Sequence, residues 1–179
     1  IEVTITGQGK INNELEINLL AGYTYMQPIS LSPDEVYEVL DEPMYLNGGA
    51  TIIDSLTYSN SSSDPSILKY RYTHIAKIDT ELAYKKLSLG GSLRYNDFMK
   101  NIDAIFASEL FAAVVPGIIE ARENAINGDL IIDARLGYQF NDMVRFGFVV
   151  NNLLNREYTT RPATMMAPRT FAFQLALKI

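Results

Sequence analysis

The stretch that decides the fold is residues 129–140, DLIIDARLGYQF, in which apolar and polar residues alternate. Every second residue from Leu130 to Phe140 is apolar, and charged residues such as Asp133 and Arg135 lie between them. Successive side chains of an extended strand point to opposite faces, so a period of two separates an apolar face from a polar one. The stretch is therefore predicted to be a β-strand rather than a helix.

Six further segments have the same period, which gives seven predicted strands in all. Turn residues at 7–13, beginning with Gly7 and ending with Asn12 and Asn13, predict a reverse turn after the first strand. The predicted strands cover residues 1–6, 14–25, 74–85, 87–96, 129–140, 144–151 and 170–179.

Three short connections between these strands alternate with three long ones. They cover, in chain order, residues 7–13, 26–73, 85–87, 97–128, 141–143 and 152–168. In an up-and-down sheet, this order places every long connection at the same end. Bacterial outer-membrane barrels have this asymmetry, with short periplasmic turns and long extracellular loops.

Aromatic residues of the apolar face are predicted to form two bands. The band near the long connections contains Tyr23, Tyr25, Tyr95, Phe171 and Phe173. The band near the short turns contains Tyr84, Tyr138, Phe140 and Phe146. Aromatic side chains concentrate at both interfaces of a membrane, so two bands favour a lipid-facing surface.

The predicted fold class is therefore all-β, an antiparallel transmembrane β-barrel of which about seven strands are present. The alternative is a soluble β-sandwich, whose strands also alternate. A sandwich explains the alternation, but it does not account for long strands, loop asymmetry and two aromatic bands at once.

Charged residues of the polar face are candidates for a lumen-facing site. They are Asp79, Glu81, Arg94, Asp133, Arg135 and Arg145. One interpretation is a hydrated lumen wall in which opposite charges pair across neighbouring strands. The other is contact with a substrate or with a domain inside the lumen, and the sequence leaves both open.

Composition argues against several other classes of function. The net charge of −6 is not that of a nucleic-acid-binding protein. With no Cys and with His74 as the only His, neither a transition-metal site nor a Ser-His-Asp triad is indicated. Gly48-Gly49 and Gly90-Gly91 lack the context of a phosphate loop. No enzyme activity, metal or cofactor is predicted.

Two features are predicted within the long connections. Five carboxylates between 34 and 42 do not have the spacing of an EF-hand and are interpreted as a solvated loop. Residues 103–114 are predicted to form a helix that ends before Pro116.

The run Asn151-Asn152-Leu153-Leu154-Asn155-Arg156-Glu157-Tyr158, followed by Pro168-Arg169-Thr170-Phe171, resembles the C-terminus of TonB-dependent outer-membrane receptors. There an N-L-x-N-x-x-Y motif ends the penultimate strand, and a P/G-R-x-F motif opens the last one. Residues 68–71 and 94–103 are also similar to this family. The motif residues are taken as Asn151, Leu153, Asn155, Tyr158, Pro168, Arg169 and Phe171. The chain departs from many such barrels by ending in Ile179 instead of Phe.

The resemblance implies a barrel of roughly 22 strands around a plug. Residues 1–179 would be the C-terminal part of its wall, and the plug domain would lie outside this chain. The implied location is the bacterial outer membrane, in contact with lipid and lipopolysaccharide. The implied partners are TonB, acting through the missing N-terminal part, the rest of the barrel and plug, and in some receptors a surface lipoprotein.

The implied function is active import of a scarce nutrient with energy from TonB. The nutrient class stays open between a siderophore, haem, cobalamin, a glycan and a peptide. A passive porin or adhesin barrel is the first alternative, and a soluble sandwich-type binding domain is the second.

Overall fold

The structure, a computed structural model, describes residues 1–46 and 51–178, so that Gly48, Gly49 and Ile179 lie outside the described residues. Seven strands form one antiparallel sheet with the order β1-β2-β5-β6-β7-β8-β11. These strands are β1 (Glu2–Lys10), β2 (Leu15–Tyr25), β5 (His74–Tyr84), β6 (Leu87–Asn96), β7 (Asp129–Gln139), β8 (Val144–Asn151) and β11 (Thr170–Leu177).

The long connections contain the remaining elements. Two small hairpins are formed by β3 (Val36–Leu46) with β4 (Thr51–Thr57), and by β9 (Thr159–Arg161) with β10 (Thr164–Met165). The helices are α1 (Tyr58–Ser61), a 3₁₀ turn (Ala104–Ala107), α2 (Glu109–Val114) and α3 (Ile118–Asn124). None of the helices in the described part of the chain is long and apolar enough to cross a membrane.

The seven predicted strands are confirmed, and their register places the apolar residues on one continuous face. One row of paired residues crosses six strands and contains Ile17, Leu82, Leu89, Leu136, Phe148 and Phe173. Alternation fixes this register, because a slip of one residue would turn every apolar side chain of a strand to the polar face.

The apolar face is open to its surroundings. Leu136 is 42% exposed and Phe173 is 72% exposed. In a sandwich, a second sheet would cover such residues. The other sheets within residues 1–46 and 51–178 are two-stranded hairpins of the long connections, so the structure does not have the sandwich architecture. Within the same residues, the main sheet is not closed into a barrel, and β1 and β11 are its edges.

The predicted first turn is wrong in position. β1 continues through Gly7 and Gln8, which pair with Leu19 and Asn18 of β2. The turn follows Lys10 instead, where the Asn12 carboxamide oxygen accepts hydrogen bonds from the backbone N–H groups of residues 14 and 15, both at 2.9 Å. The side-chain alternation stops at Gly7, but backbone pairing with β2 continues because it needs no particular side chain.

Aromatic residues lie at both ends of the strands, as predicted. In one register row near the short turns, Tyr84 pairs with Leu87, which pairs with Tyr138, which pairs with Phe146. The assignment of Phe173 to the long-loop band is wrong, because Phe173 pairs with Phe148 in the register row next to the one near the short turns. The Phe148 ring lies 4.9 Å from that of Phe173 and 6.2 Å from that of Phe171.

Two predictions for the long connections need correction. The carboxylates of residues 34–42 are exposed as predicted, but three of them lie in β3 rather than in an irregular loop. The predicted helix over 103–114 is divided into the 3₁₀ turn and α2. Ser108 divides them, since its extended backbone begins α2 and its side chain accepts a hydrogen bond from the Phe111 N–H. The end of the helix at Val114 is confirmed.

Candidate functional site

The polar face of the sheet is held by arginine side chains that cross from one strand to another. Arg135 of β7 reaches over β6 to β5, where its Nη1 and Nη2 donate to the two carboxylate oxygens of Asp79 at 3.0 and 2.9 Å. Gly90 of β6 lies underneath, and a Cβ atom there would be 2.9 Å from Arg135 Nε. The absence of a side chain at Gly90 therefore makes room for this two-pronged ion pair.

A second group of contacts centres on Asp133. Its Oδ2 accepts hydrogen bonds from Arg94 Nη2 and Ser92 Oγ, both at 3.1 Å. Its Oδ1 accepts one from the backbone N–H of Asn152 at 2.8 Å. The same carboxylate therefore binds the neighbouring strand and the start of the last long connection.

The remaining two candidate residues, Glu81 and Arg145, form no ion pair among the described residues. Arg145 Nη2 donates to the Ser88 hydroxyl at 3.2 Å, passing over Gly137. The ion pairs found within residues 1–46 and 51–178 include neither Glu81 nor Arg145. Four of the six candidates thus form ion pairs with each other, Asp79 with Arg135 and Asp133 with Arg94.

The C-terminal motif folds around Asn152, a residue that the sequence analysis did not include among the motif residues. Its side chain is 3% exposed. Its Nδ2 donates to the carbonyl oxygens of Arg156 and Ala167 at 2.8 and 3.3 Å, and its Oδ1 accepts from the Arg156 N–H at 2.8 Å. Its backbone has a φ of 51°, in the left-handed region that Asn tolerates better than most residues.

Four of the predicted motif residues make contacts near this anchor, whereas Phe171 lies on the apolar face against Phe148. Asn155, also at a positive φ of 52°, accepts a hydrogen bond from the Arg169 N–H at 2.8 Å. Asn151 is exposed and donates to Thr170 Oγ1 at 3.2 Å. The Leu153 N–H donates to the backbone of β7 at 2.7 Å. These contacts join the end of β8 to the start of β11, so the motif positions the last strand.

At the long-connection end of the sheet, Asn101 joins the first two long connections through hydrogen bonds. This fully buried side chain accepts hydrogen bonds from the Ser63 hydroxyl at 3.0 Å and from the Asp64 N–H at 2.9 Å. The adjacent Ile102 is also fully buried; its carbonyl oxygen accepts a hydrogen bond from the Ser63 N–H at 2.9 Å, and its N–H donates to Ser63 Oγ at 3.2 Å. We refer to Ser63, Asp64 and residues 101–103 as the loop clasp.

Asp103 adds an ion pair to the loop clasp. It forms an ion pair with Lys69 at 2.7 Å and accepts a hydrogen bond from the Tyr70 hydroxyl. Burial alone would raise the pKa of Asp103, but the hydrogen bonds from Lys69 and Tyr70 lower it below its usual value. Burial, together with the hydrogen bond to Asp103, raises the pKa of Tyr70 to about 12. At physiological pH, Asp103 of the loop clasp is therefore charged, and Tyr70, which donates to it, is neutral.

His74, at the start of β5, lies against two aromatic side chains, those of Tyr23 and Tyr25. Its Nδ1 lies 2.7 Å from the Tyr23 hydroxyl. Its ring centroid lies 5.3 Å from that of Tyr25. These contacts place it in the aromatic band near the long connections.

Two solved structures that are similar to this chain are bacterial receptors. The ferric-catecholate import receptor Fiu of Escherichia coli K12, in its closed form, matches 98% of this chain with a TM-score of 0.59 and 19% sequence identity. The siderophore receptor PiuA of Acinetobacter baumannii matches 98% with a TM-score of 0.50 and 18% identity. The chain has the fold of part of these receptors.

The chain spans about a fifth of each receptor, 20% of Fiu and 21% of PiuA. No protein-family model and no curated protein sequence matches the chain. The antiparallel barrel-wall fold expected from the sequence is thus confirmed by structure. The roles of its charged residues are not tested by these similarities and stay predictions.

Three residues that organise the sheet and its long connections were not identified from the sequence. Asn152 is next to an identical residue, and only its buried position distinguishes it from Asn151. Asn101 lies in a connection without periodicity. Gly90 was considered only for a phosphate loop, although its place between Asp79 and Arg135 on the polar face follows from strand register.

Proposed function

We propose that this chain is the C-terminal part of the wall of a TonB-dependent import receptor in the bacterial outer membrane. One observation carries the proposal: an exposed apolar face that continues across all seven strands of the sheet. The opposite face of the sheet carries charged side chains, most of which pair with one another. The long connections extend from one end of the sheet. Lipid would contact the apolar face, and a hydrated lumen would contact the polar one.

The open edges of the sheet support a larger wall. β1 and β11 each have a row of backbone groups without a partner strand in the described residues. Such groups are too costly to expose to lipid, so a spanning sheet must be closed by further strands. We therefore propose that the rest of the barrel and a plug complete the structure, and that TonB acts through that missing part.

The charged side chains that form no ion pair among the described residues of the sheet suggest where the plug or substrate is contacted. Glu81 and Arg145 face the lumen, and Arg145 is bonded only to a neutral hydroxyl among the described residues. The Asp79–Arg135 and Asp133–Arg94 pairs are instead structural parts of the wall. We assign contact with the plug or substrate to Glu81 and Arg145 first.

The imported molecule would be a scarce nutrient captured by the long connections. The two matched receptors are described as receptors for ferric catecholates and siderophores. A siderophore, haem, cobalamin, a glycan or a peptide could each pass through such a lumen. A surface lipoprotein could cover the long connections, and lipopolysaccharide would surround them. No catalytic step is part of this proposal.

Membrane fractionation and conductance test the proposal on the complete polypeptide that contains these residues. We expect the protein to enter the outer-membrane fraction and to require detergent for release. In a planar bilayer with potassium chloride, a plugged wall should give no steady conductance. Steady conductance would support the passive porin instead, and release without detergent would refute both membrane functions.

A further inference from the structure

All three long connections of the sheet contribute to one narrow cleft. The first contributes Tyr72, the second contributes residues 97–99 and part of α3, and the third contributes Thr159 and residues 161–163 of the β9–β10 hairpin. The cleft contains about 490 Å³ of open space, including the part continuous with solvent. A concave site where several loops meet is a common place for a ligand, so the charges of this cleft matter.

The cation that α3 places in the cleft, Arg122, is partly buried and forms no ion pair among the described residues. Its guanidinium lies over the Phe98 ring, with 4.9 Å between Cζ and the ring centroid. Its Nη2 donates to the Met99 carbonyl oxygen at 3.2 Å. Burial lowers the pKa of Arg122, because it removes water from the charge. A guanidinium has five N–H donors, so most of those of Arg122 are not used by the described part of the chain.

The other charged residues that line the cleft have both signs. Arg161 of the hairpin is exposed, and Asp97 is partly buried with one oxygen accepting from the Phe98 N–H at 2.7 Å. Within residues 1–46 and 51–178, neither of these two charges belongs to an ion pair. Asp129 also lines the cleft, but it is 9% exposed and accepts from Arg156 Nε at 3.1 Å. The described residues thus leave two cations and one anion of the cleft without an ionic partner.

Apolar side chains form the rest of the lining. They are those of Phe98, Met99, Ile118, Ala121, Ala125, Pro162 and Ala163. A ligand that enters the cleft would therefore bury apolar groups as well as meet charges of both signs.

We propose that this cleft binds an apolar amino acid in its zwitterionic form. The carboxylate of the ligand accepts hydrogen bonds from Arg122 and Arg161, and its ammonium group donates to Asp97. The mixed charges select this class, because Asp97 repels a ligand with only a carboxylate and the two arginines repel a ligand with only an ammonium group. The inference goes beyond the proposed function and rests on it only in that the cleft would face the outside of the cell.

Binding of L-leucine to the complete protein in zwitterionic nanodiscs provides the test. Equilibrium dialysis with radiolabelled leucine measures binding, and empty nanodiscs correct for uptake by lipid. Two competitors each lack one charge: 4-methylpentanoate has no ammonium group, and 3-methylbutylamine has no carboxylate. We expect leucine to bind, and we expect each competitor to displace it only at a concentration roughly tenfold or more above that of unlabelled leucine.

Three variants assign the charges. Arg122→Gln should weaken leucine binding roughly tenfold, and Arg161→Gln roughly threefold to tenfold. The Arg161 side chain is exposed and forms no hydrogen bond within the described residues, so its removal should leave the fold unchanged. Asp97→Asn should weaken the binding of leucine but strengthen competition by 4-methylpentanoate, because the repelling charge is gone. Arg71→Gln is the matched control and should bind leucine normally, since Arg71 is an exposed arginine of the first long connection that does not line the cleft.

Equal displacement by leucine and by either competitor would overturn the proposal, because one charge would then be enough for binding. Absence of leucine binding would overturn it too, and so would Arg161→Gln and Asp97→Asn proteins that bind leucine like the Arg71→Gln control. A protein that fractionates to the outer membrane without steady conductance and does not bind leucine refutes the cleft alone. A protein released without detergent refutes the import receptor, while the competitors and variants still decide whether leucine binds in the cleft.

Discussion

Substituting Gly90 by alanine tests how the polar face of the sheet holds its charges. The Arg135 guanidinium crosses β6 directly over Gly90 on its way to Asp79. A new Cβ atom would lie 2.9 Å from Nε, 3.0 Å from Nη2 and 3.3 Å from Cζ of Arg135. Arginine is flexible, so we expect the guanidinium to move away and lose Asp79 rather than the backbone to shift.

The expected cost follows from the exposure of the pair. Both side chains are about one third exposed, at 34% and 32%, so solvent screens their attraction. A well-aligned pair at such a site contributes about 1 kcal/mol at most. Gly91 is a matched control, because a Cβ there would meet only a carbonyl oxygen at 3.6 Å, an ordinary contact. Gly90→Ala should therefore be about 1 kcal/mol less stable than Gly91→Ala.

A double-mutant cycle makes the test sharper. Asp79→Ala should reduce the free energy of unfolding by about 1 kcal/mol in the native background and by almost nothing in the Gly90→Ala background. The measurement is guanidinium unfolding of the complete protein in detergent, followed by far-ultraviolet circular dichroism. An equal cost of Asp79→Ala in both backgrounds would show that Gly90 does not control the ion pair, and the reasoning would be refuted.

Asn152→Ala should lower the free energy of unfolding by about 2–3 kcal/mol in the same assay, because it removes buried hydrogen bonds at a residue with a positive φ. Asn151→Ala should lower it by less than about 0.5 kcal/mol. Equal losses in the two variants would contradict the role of Asn152 as an anchor. Because the pKa of Asp103 is lowered in the folded state, the stability it gives the loop clasp is present above its unfolded pKa of about 4 and is lost as pH falls through the lower folded value. Hydrogen-exchange protection of the clasp amides, corrected for intrinsic rates, should fall in that window, and a clasp unaffected by acid would refute the assignment. In a bilayer, Phe173→Arg should lower the free energy of unfolding by about 2–4 kcal/mol, whereas Gln174→Arg on the other face should change it little. The reverse order would show that the lipid-facing and lumen-facing sides are assigned the wrong way round.

The main sheet could be predicted because apolar and polar residues alternate along each strand, one set on each face of the sheet. In β7, Leu136 is on the open face and Arg135 is on the charged one, and this contrast is visible in the sequence. The β3–β4 hairpin could not be predicted in this way. Its first strand, VYEVLDEPMYL, contains Pro43 and irregular pairing between Val39 and Met44, so its apolar residues do not alternate.

The sequence predicts which charged residues lie on the polar face, but it does not predict which of them form ion pairs with each other. Alternation places Asp79 and Arg135 on the same face, but their contact also needs strand register and an absent side chain at Gly90. Asn101 gives no periodic signal, because its role comes from docking two connections that are distant in sequence. Such contacts depend on tertiary structure, which the local pattern does not contain.

The two oxygens of Asp133 serve different parts of the molecule, and this has an evolutionary consequence. One oxygen holds Arg94 and the other holds the backbone at Asn152. A substitution at Asp133 therefore disturbs two places at once, and a compensating change at one of them does not repair the other. In related sequences, we expect positions 94 and 133 to vary together, and position 152 to keep its asparagine only where position 133 keeps an acceptor.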